Sequence, residues 1–420
     1  MTRYTVPMED PLSRFEGGTV QFLPTVSAIS FGLDVVQKSI AATLEQIGAK
    51  TVLLLTPHSI RSGHIVGIIK DALKGITVDQ ISLSAEHVPV EVLADGLSQV
   101  VGKEPDCVIA VGGSSTIDLA KGMRIFHSLG IREIDQILEF MRSPTELDEA
   151  PVPQISIPTT LSGSEYTRSF SVVDFNSQEK LSFTEMLCSS GIILYDPVAT
   201  RETPKRLWMS SGIMALNHAV EVLVASPPNV ISDSMKLTSA AYLLRHLPES
   251  AGNPDLPEVN HARELCQTAC WMADHSPMRI RTNSVRSTIL YSHSLAYQVA
   301  ARYRVPYGLI ACTTLPSCLR NYEEEDEIFK TRIAQISSAL SNHAANFTDT
   351  AVGDESKDLI NTIENLIIQS GLPSRLRDVG IPRDGLSAMA EDFGIQNSGG
   401  SEDYEQKLTQ NASKILEDAW

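Results

Sequence analysis

The sequence predicts an α/β fold with a parallel sheet, followed by an all-helical part. In the first half of the 420-residue chain, short β-branched runs alternate with helical stretches. This alternation is typical of a parallel sheet with helices on both faces. Beyond Asp196 and Pro197 the apolar residues follow only a helical period, and no strand is predicted there. The length exceeds that of one average domain, so we predict two domains, residues 1–198 and 199–420, with a cleft between them.

Each element of the first half is read from composition and turn signals. Strand runs rich in Val, Ile and Leu end at Gly, Pro or Ser clusters, and amphipathic stretches lie between them. Strands are predicted at residues 51–55, 76–78, 107–111 and 154–157, and helices at 65–74 and 91–101.

The second half is read from its helical period. Apolar residues recur three and four positions apart over long segments, and the Pro- and Gly-bearing stretch 250–260 is a predicted loop. Helices are predicted at residues 204–225, 231–247, 262–272, 285–303, 326–341 and 356–370, with two more in 382–420 around the turn at 398–401.

Composition excludes several classes of function. The formal net charge of −17 argues against a nucleic-acid partner. No apolar run reaches the length of a membrane span, and the N-terminal residues lack the pattern of a signal peptide. The six cysteines form no disulfide framework or redox motif. We therefore expect a cytoplasmic protein with reduced thiols and no membrane partner.

Two glycines after the third predicted strand indicate a phosphate site. Gly112 and Gly113 allow close approach of a ligand, and the amide groups of the following helix start favour a pyrophosphate. A plain βα turn is the alternative interpretation. A second polar loop, residues 158–167, carries hydroxyls that can line the same ligand. The predicted coenzyme-binding residues of the two segments are Gly112, Gly113, Ser114, Ser115, Asp118, Lys121, Thr159, Thr160 and Ser164.

Together with two segments of the helical half, these motifs resemble those of the iron-containing alcohol dehydrogenase superfamily. Residues 111–121 resemble its G-G-G-S-x-x-D-x-A-K run, with Ser114 replacing the third Gly. Residues 212–221 resemble G-x-D-A-x-x-H-A-x-E, and 293–308 resemble H-x-x-x-H…P-H-G. The resemblance extends from about Phe31 to the C-terminus. It implies a Rossmann-like nucleotide domain followed by a helical catalytic domain, with NAD or NADP as the coenzyme.

The family's metal ligands are only half present. The resemblance implies ligand positions at 214, 218, 293 and 307; His218 and His293 remain, whereas Met214 and Tyr307 replace an Asp and a His. Tyr297 replaces a further His between them. Thioether and phenol groups are poor ligands for zinc- or iron-type sites, so we expect no tightly bound metal.

The shorter loop at 158–167 resembles one branch of the superfamily, the maleylacetate reductases, which are described as working without metal. This resemblance implies a small, carboxylated substrate and a homodimer. The candidate catalytic residues are His218, His293, Tyr297 and Tyr307, as proton donors or hydrogen-bonding groups to a carbonyl oxygen. Ordinary packing is the alternative for each. Arg168, Arg302 and Arg304 are candidates to pair with a carboxylate, with surface solvation as the alternative.

Three functions remain open at this point. The first is a metal-independent, NAD(P)H-dependent reductase of a small oxo acid or related carbonyl compound. The second is a non-redox lyase, isomerase or cyclase that reuses the cleft, and the third is a binding protein without activity. In some relatives the position after the second strand carries an Asp that discriminates between NADH and NADPH. Here that position is Pro57, so the choice between the two coenzymes also stays open.

Overall fold

A computed structural model of the chain describes most of the residues. These are residues 18–22, 26–83, 86–147, 149–177, 179–226, 228–273, 278–282, 290–347 and 358–420. The N-terminal segment 1–10, the beginning of the predicted helix at 285–303 and that of the helix at 356–370 lie outside them.

The centre of the first half is a six-stranded parallel sheet. Its strand order is β2-β9-β6-β5-β3-β4, and every adjacent pair in it is parallel. The strands are β1 (Gly18–Phe22), β2 (Ala28–Phe31), β3 (Thr51–Thr56), β4 (Thr77–Ser82), β5 (Cys107–Gly112), β6 (Gln154–Pro158), β7 (Ser169–Asp174), β8 (Glu179–Thr184), β9 (Ile192–Tyr195) and β10 (Met278–Thr282). All residues of β5 and β6 are buried, because helices cover both faces of the sheet.

Helices surround the sheet and then form the second half. They are α1 (Val35–Ile47), α2 (His64–Ala72), α3 (Val90–Gln99), α4 (Ser114–Ser128), α5 (Ile134–Arg142), α6 (Lys205–Ala225), α7 (Val230–Ser250), α8 (Pro257–Ala273), α9 (Tyr291–Tyr303), α10 (Tyr307–Glu325), α11 (Glu327–Phe347), α12 (Leu359–Gln369), α13 (Leu386–Asn397) and α14 (Glu402–Ala419). This arrangement confirms the predicted fold class, a parallel sheet followed by a helical part.

Two details differ from the prediction for the second half. The strand β10 lies there and pairs antiparallel with β1, with Gly18 opposite Thr282. Its sequence, Met-Arg-Ile-Arg-Thr, alternates apolar and polar residues at the strand period. This alternation covers only five residues, in a region where the helical period of the apolar residues dominates. The helix α10 was also missed, because Pro316 lies inside it and proline normally ends a helix.

The helix α6 is the core of the helical half. Trp208, Leu216 and Leu223 along it are almost wholly buried and belong to a cluster that includes residues of α10 and α14. Among the described helices, α6 alone is long and apolar enough to cross a membrane, and 83% of its most apolar window is buried inside the protein. Its composition is therefore explained by its central place in the core.

The antiparallel hairpin formed by β7 and β8 connects the two halves. Pairing runs from Ser169 opposite Thr184 to Asp174 opposite Glu179. The Tyr297 hydroxyl of α9 is hydrogen-bonded to hydroxyls of this hairpin, which brings the hairpin against the helical half. The hairpin was not predicted, because the alternation of polar and apolar residues in Ser-Phe-Ser-Val and Leu-Ser-Phe-Thr covers only a few residues of each strand.

Candidate active site

The first part of the site lies at the carboxyl end of β5. The chain order reverses direction across the sheet between β3 and β5, and in open α/β sheets such a point is where ligands bind. There β5 ends at Gly112, and α4 begins at Ser114 with Gly113 as its N-cap. A Cβ at Gly112 would lie only 2.8 Å from the Cβ of Thr116, so no side chain fits in this tight turn. Ser115 lies in the first turn of α4.

The polar loop after β6 packs against this turn. The Thr159 amide donates a hydrogen bond to the Gly112 carbonyl at 3.0 Å. A Cβ at Gly113 would meet the Thr160 side chain at 3.2 Å, and the Thr160 hydroxyl is 2.7 Å from that of Ser162. The structure thus brings the predicted coenzyme-binding residues of both segments to one edge of the sheet.

Three of the predicted residues form a network behind that edge. The Lys121 ammonium is fully buried and donates to the carbonyls of Ser164 and Ser169 at 2.6 and 2.9 Å. It also lies 3.2 Å from Asp118, whose carboxylate accepts a hydrogen bond from the Ser164 hydroxyl. Lys121 donates to the Thr167 hydroxyl as well, at 2.8 Å. These contacts give Lys121 a positioning role: it holds the loop that follows residue 163 in place.

The two retained histidines face each other in the helical half. The ring centroids of His218 on α6 and His293 on α9 are 5.2 Å apart. Burial, followed by the charges of His293 and Lys236, lowers the pKa of His218 to about 3, so its imidazole is neutral at physiological pH. Its Nε2 atom is buried and has no hydrogen-bond partner among the described residues. A buried atom of this kind is available to a ligand.

A buried carboxylate fixes His293. Glu221, one turn after His218 on α6, accepts hydrogen bonds from the backbone amides of Ser292 and His293 at 2.6 and 3.0 Å. These amides belong to the first turn of α9, where the Tyr322 hydroxyl also accepts a hydrogen bond from the Tyr291 amide at 3.3 Å. The Tyr322 hydroxyl also donates to Glu221, at 3.2 Å. Burial raises the pKa of this carboxyl to about 7 despite these donors.

Tyr297 and Tyr307 lie together, and Lys180 lies over both rings. Their ring centroids are 5.9 Å apart. Lys180 Nζ is 3.3 Å from the centroid of the Tyr297 ring and 4.5 Å from that of Tyr307, within the range of cation–π attraction. The Tyr297 hydroxyl is hydrogen-bonded to Ser182 and Ser171 at 2.6 and 3.0 Å, whereas the buried Tyr307 hydroxyl has no partner among the described residues.

Lys180 was missed by sequence reasoning. Its place on β8 depends on the hairpin, and a lysine in a polar stretch carries no signal of its own. Burial lowers the pKa of Lys180 to about 7, while the negative charge of Asp118 acts in the opposite direction. Burial also raises the pKa of Tyr297. The pair therefore combines an ammonium that titrates near neutrality with a neutral phenol.

His87 was missed for a similar reason. It precedes α3, and its ring centroid lies 5.9 Å from that of Tyr307 in an edge-to-face contact. Burial, followed by the charges of Lys180 and Arg304, lowers the pKa of His87 to about 4.

The three candidate arginines take different places. Arg302 forms a largely exposed ion pair with Asp392 at 3.1 Å, whereas Arg304 ends α9 and stacks on Phe175 of the hairpin, 3.9 Å from the ring centroid. Arg168 precedes β7, and its carbonyl accepts a hydrogen bond from the Glu185 amide. Of the three, Arg304 is the one whose charge acts on His87, which contacts Tyr307.

The donor atoms at the former metal positions do not fit a tightly held divalent ion. Met214 is buried one turn before His218, and its thioether is a soft, neutral donor. Within the described part of the chain, no group of three or more His, Cys, Asp or Glu side chains is placed to hold a metal ion. Two imidazoles, a thioether and a phenol offer fewer strong donors than the three or four N, O or S ligands of zinc- and iron-type sites.

Known proteins resemble this chain in sequence and in fold. Residues 27–197 match the family described as iron-containing alcohol dehydrogenase, and residues 208–420 match the C-terminal part of the Fe-containing alcohol dehydrogenase family. The NAD-dependent methanol dehydrogenase of Bacillus methanolicus is 23% identical over 377 residues, covering 88% of this chain and 92% of that protein. Maleylacetate reductase 1 of Rhodococcus opacus is 23% identical over 361 residues, covering 84% of each.

Solved structures agree in fold. The alcohol dehydrogenase from Oenococcus oeni has a TM-score of 0.76 at 21% identity, and the match covers 94% of this chain and 98% of that one. The two family matches together cover most of the sequence, and they coincide with the sheet and helical parts described above. The chain therefore belongs to the iron-containing alcohol dehydrogenase family and is an oxidoreductase.

Proposed function

We propose that this protein is a metal-independent, NAD(P)H-dependent reductase of a small oxo acid. The observation that carries the proposal is the ammonium of Lys180 over the rings of Tyr297 and Tyr307. Both tyrosines stand where the family resemblance implies histidines. A positive charge belonging to the protein thus lies in the part of the cleft where metal-dependent relatives are expected to place their ion.

The turn at Gly112 and Gly113 supports the coenzyme. The first hydrogen bonds of α4 are donated by the amides of Thr116 and Ile117 to the Gly113 carbonyl. The preceding amides of Ser114 and Ser115 remain to bind a pyrophosphate at the positive end of this 15-residue helix. Thr159 and Thr160 line the same edge. We propose residues 1–198 as the coenzyme-binding domain and 199–420 as the substrate domain, in a cytoplasmic homodimer.

The proposed reaction needs a hydride and a proton. A reduced nicotinamide, when bound, would supply the hydride to the carbonyl carbon and become oxidised. The carbonyl oxygen gains a proton from the Tyr307 hydroxyl, so the product is an alcohol. Lys180 stabilises the negative charge that develops on the phenol oxygen and returns a proton to it. The neutral His218 offers its Nε2 atom as a hydrogen-bonding group to the same substrate oxygen.

Two measurements on purified protein test the proposal. Fluorescence titration with NADH and NADPH measures coenzyme binding, and nicotinamide absorbance follows turnover of 2-oxo and 4-oxo acids. We expect binding and turnover after metal analysis shows no stoichiometric metal and after dialysis against a chelator. Coenzyme binding without turnover of any of these acids would favour the non-redox alternative. Stoichiometric zinc or iron that is needed for activity would overturn metal independence.

The substitution Tyr307→Phe tests the proton donor. It removes the hydroxyl and keeps the ring under Lys180, so we expect kcat to fall by about 100-fold or more while the Kd for the coenzyme stays unchanged. The exposed Tyr404→Phe is the control and should leave both values unchanged. Unchanged kcat in Tyr307→Phe would remove this hydroxyl from the mechanism.

A further inference from the structure

Two basic side chains from separate segments contact the Tyr307 ring, and the charge of a third, Arg304, acts on one of them. Lys180 comes from β8, and its Nζ atom lies 4.5 Å from the centroid of the Tyr307 ring. His87 comes from the segment between β4 and α3, and its ring centroid lies 5.9 Å from that of Tyr307. Arg304 ends α9 three residues before Tyr307, and its charge reaches His87. We propose that His87, Lys180 and Arg304 form a subsite that binds a carboxylate group of the substrate. This rests on the proposed function, in which the substrate is an oxo acid.

The charge of this cluster is not balanced by an acid in contact with it. Among the described residues, none of the three basic side chains forms an ion pair with a carboxylate, whereas neighbouring Arg302 pairs with Asp392. Asp118 raises the pKa of Lys180 by its charge, but the ion pair that its carboxylate forms is with Lys121. In a chain with a net charge of −17, a basic cluster without an ion-paired acid favours an anionic ligand.

The backbone that carries His87 is strained. His87 and Val88 have φ values of 60° and 53°, in the left-handed region that residues with a Cβ, and β-branched ones above all, seldom adopt. The Val173 amide of β7 donates to the Val88 carbonyl at 3.0 Å and holds this conformation. Strain that the surrounding structure maintains is typical of functional sites.

The side chain of His87 also has an unused hydrogen-bonding atom. Its Nε2 is buried and has no partner among the described residues. A neutral imidazole can donate one hydrogen bond to a carboxylate oxygen, while Lys180 and Arg304 supply the opposite charge. The strain and the unpaired atom occur at the same residue, next to the proposed proton donor Tyr307. A carboxylate bound here would leave the carbonyl of a short oxo acid close to that hydroxyl.

Single substitutions with a charged and a neutral substrate test the subsite. The variants are Lys180→Met, which keeps the length of the side chain, and His87→Asn and Arg304→Asn, because asparagine tolerates the left-handed backbone at both positions. The substrates are 4-oxopentanoate and its uncharged analogue 4-oxopentanamide. For each variant we expect kcat/KM for the acid to fall about tenfold or more relative to kcat/KM for the amide. In Lys180→Met both values fall further, because this substitution also removes the ammonium that assists Tyr307 in the proposed reaction.

The control variant is Arg302→Asn, which removes an arginine that is already paired and should change neither value. Equal losses for the acid and the amide would overturn the subsite. Weaker coenzyme binding in all three variants, in proportion to the loss of kcat/KM, would assign the cluster to a coenzyme phosphate instead and would also overturn it.

A binding measurement distinguishes failure of the carboxylate subsite from failure of the proposed function. If neither compound is reduced, ligand-detected NMR with 4-oxopentanoate and 4-oxopentanamide still compares their affinities for the coenzyme-bound protein. Tighter binding of the acid in the wild type, lost in the three variants, supports the carboxylate subsite without any turnover. Equal affinity of the wild type for the two compounds would overturn it.

Discussion

The fully buried Lys121 and the half-buried Lys180 have opposite environments, and these favour different roles. Lys121 is enclosed by oxygen acceptors from the loop after Gly163, which satisfy its three donors. Lys180 lies over two aromatic rings and has no hydrogen-bond acceptor among the described residues. A cation that is held by rings is poorly compensated for lost hydration, so it gives up its proton more easily. The first lysine is therefore structural, and the second can take part in proton transfer.

The pH dependence of turnover tests the role of Lys180. Because its pKa in the folded protein is lowered to about 7, the ammonium is present below that pH and is lost above it. We expect kcat of the wild type to fall as pH rises through about 7, by up to about tenfold per pH unit. In Lys180→Arg the guanidinium stays charged, so the alkaline fall should move to higher pH, even if kcat is lower throughout. The exposed Lys414→Arg should keep the wild-type profile, and an identical fall in Lys180→Arg would exclude Lys180 as its source.

The substitution Lys121→Met tests the structural role of the other lysine. It leaves several buried carbonyl and hydroxyl acceptors without a donor, so we expect the free energy of unfolding to fall by about 2–4 kcal/mol. Urea unfolding followed by circular dichroism measures this loss. Lys414→Met on exposed α14 should change the free energy of unfolding by less than about 0.5 kcal/mol. Normal stability with lost coenzyme affinity would show instead that Lys121 contacts the coenzyme.

At the scale of elements, those that carry the proposed coenzyme-binding edge and Tyr297 could be predicted, whereas those that carry Lys180 and Tyr307 could not. The strand β5 is a continuous run of buried aliphatic residues ending in two glycines, which is a local signal. In the hairpin β7–β8 the strand alternation covers only a few residues of each strand, and in α10 a proline interrupts the helical signal. Lys180 and the start of α10 are thus placed by packing between elements that single-sequence patterns do not report.

The start of α10 depends on a close contact with α6. A Cβ at Gly308 would lie 2.5 Å from the Ser210 carbonyl oxygen, so Gly308→Ala must shift α10 and with it Tyr307. We expect the free energy of unfolding to fall by about 1–3 kcal/mol, and kcat to fall with it. Gly67→Ala is the matched control, because it lies inside α2 with no atom within 4 Å of the added Cβ. Gly67→Ala should raise the free energy of unfolding slightly. Wild-type stability and activity in Gly308→Ala would show that α10 does not need this contact.

At the scale of the whole molecule, the candidate site is assembled from segments far apart in sequence. His87 lies in the sheet half, Lys180 on the connecting hairpin, and Tyr297 and Tyr307 on two helices of the other half. The sequence motifs identified the tyrosines and histidines, because these stand at family positions. His87 and Lys180 were missed, because only the packing of the hairpin between the halves brings them to Tyr307. Coenzyme bound at the edge of β5 is therefore expected to affect the stability of the whole molecule.

The substitution Ser114→Asp tests this coupling. An acid in the first turn of α4 interacts favourably with the helix dipole, so Tm without coenzyme should stay equal or rise slightly. The same charge repels a pyrophosphate at that helix end. Coenzyme at about 100 times its Kd should raise the free energy of unfolding of the wild type by about 2.7 kcal/mol and so raise its Tm. This rise in Tm should be lost in Ser114→Asp. Ser128→Asp adds the same charge at the other, exposed end of α4 and should keep the gain. A full coenzyme-induced rise of Tm in Ser114→Asp would place the pyrophosphate elsewhere.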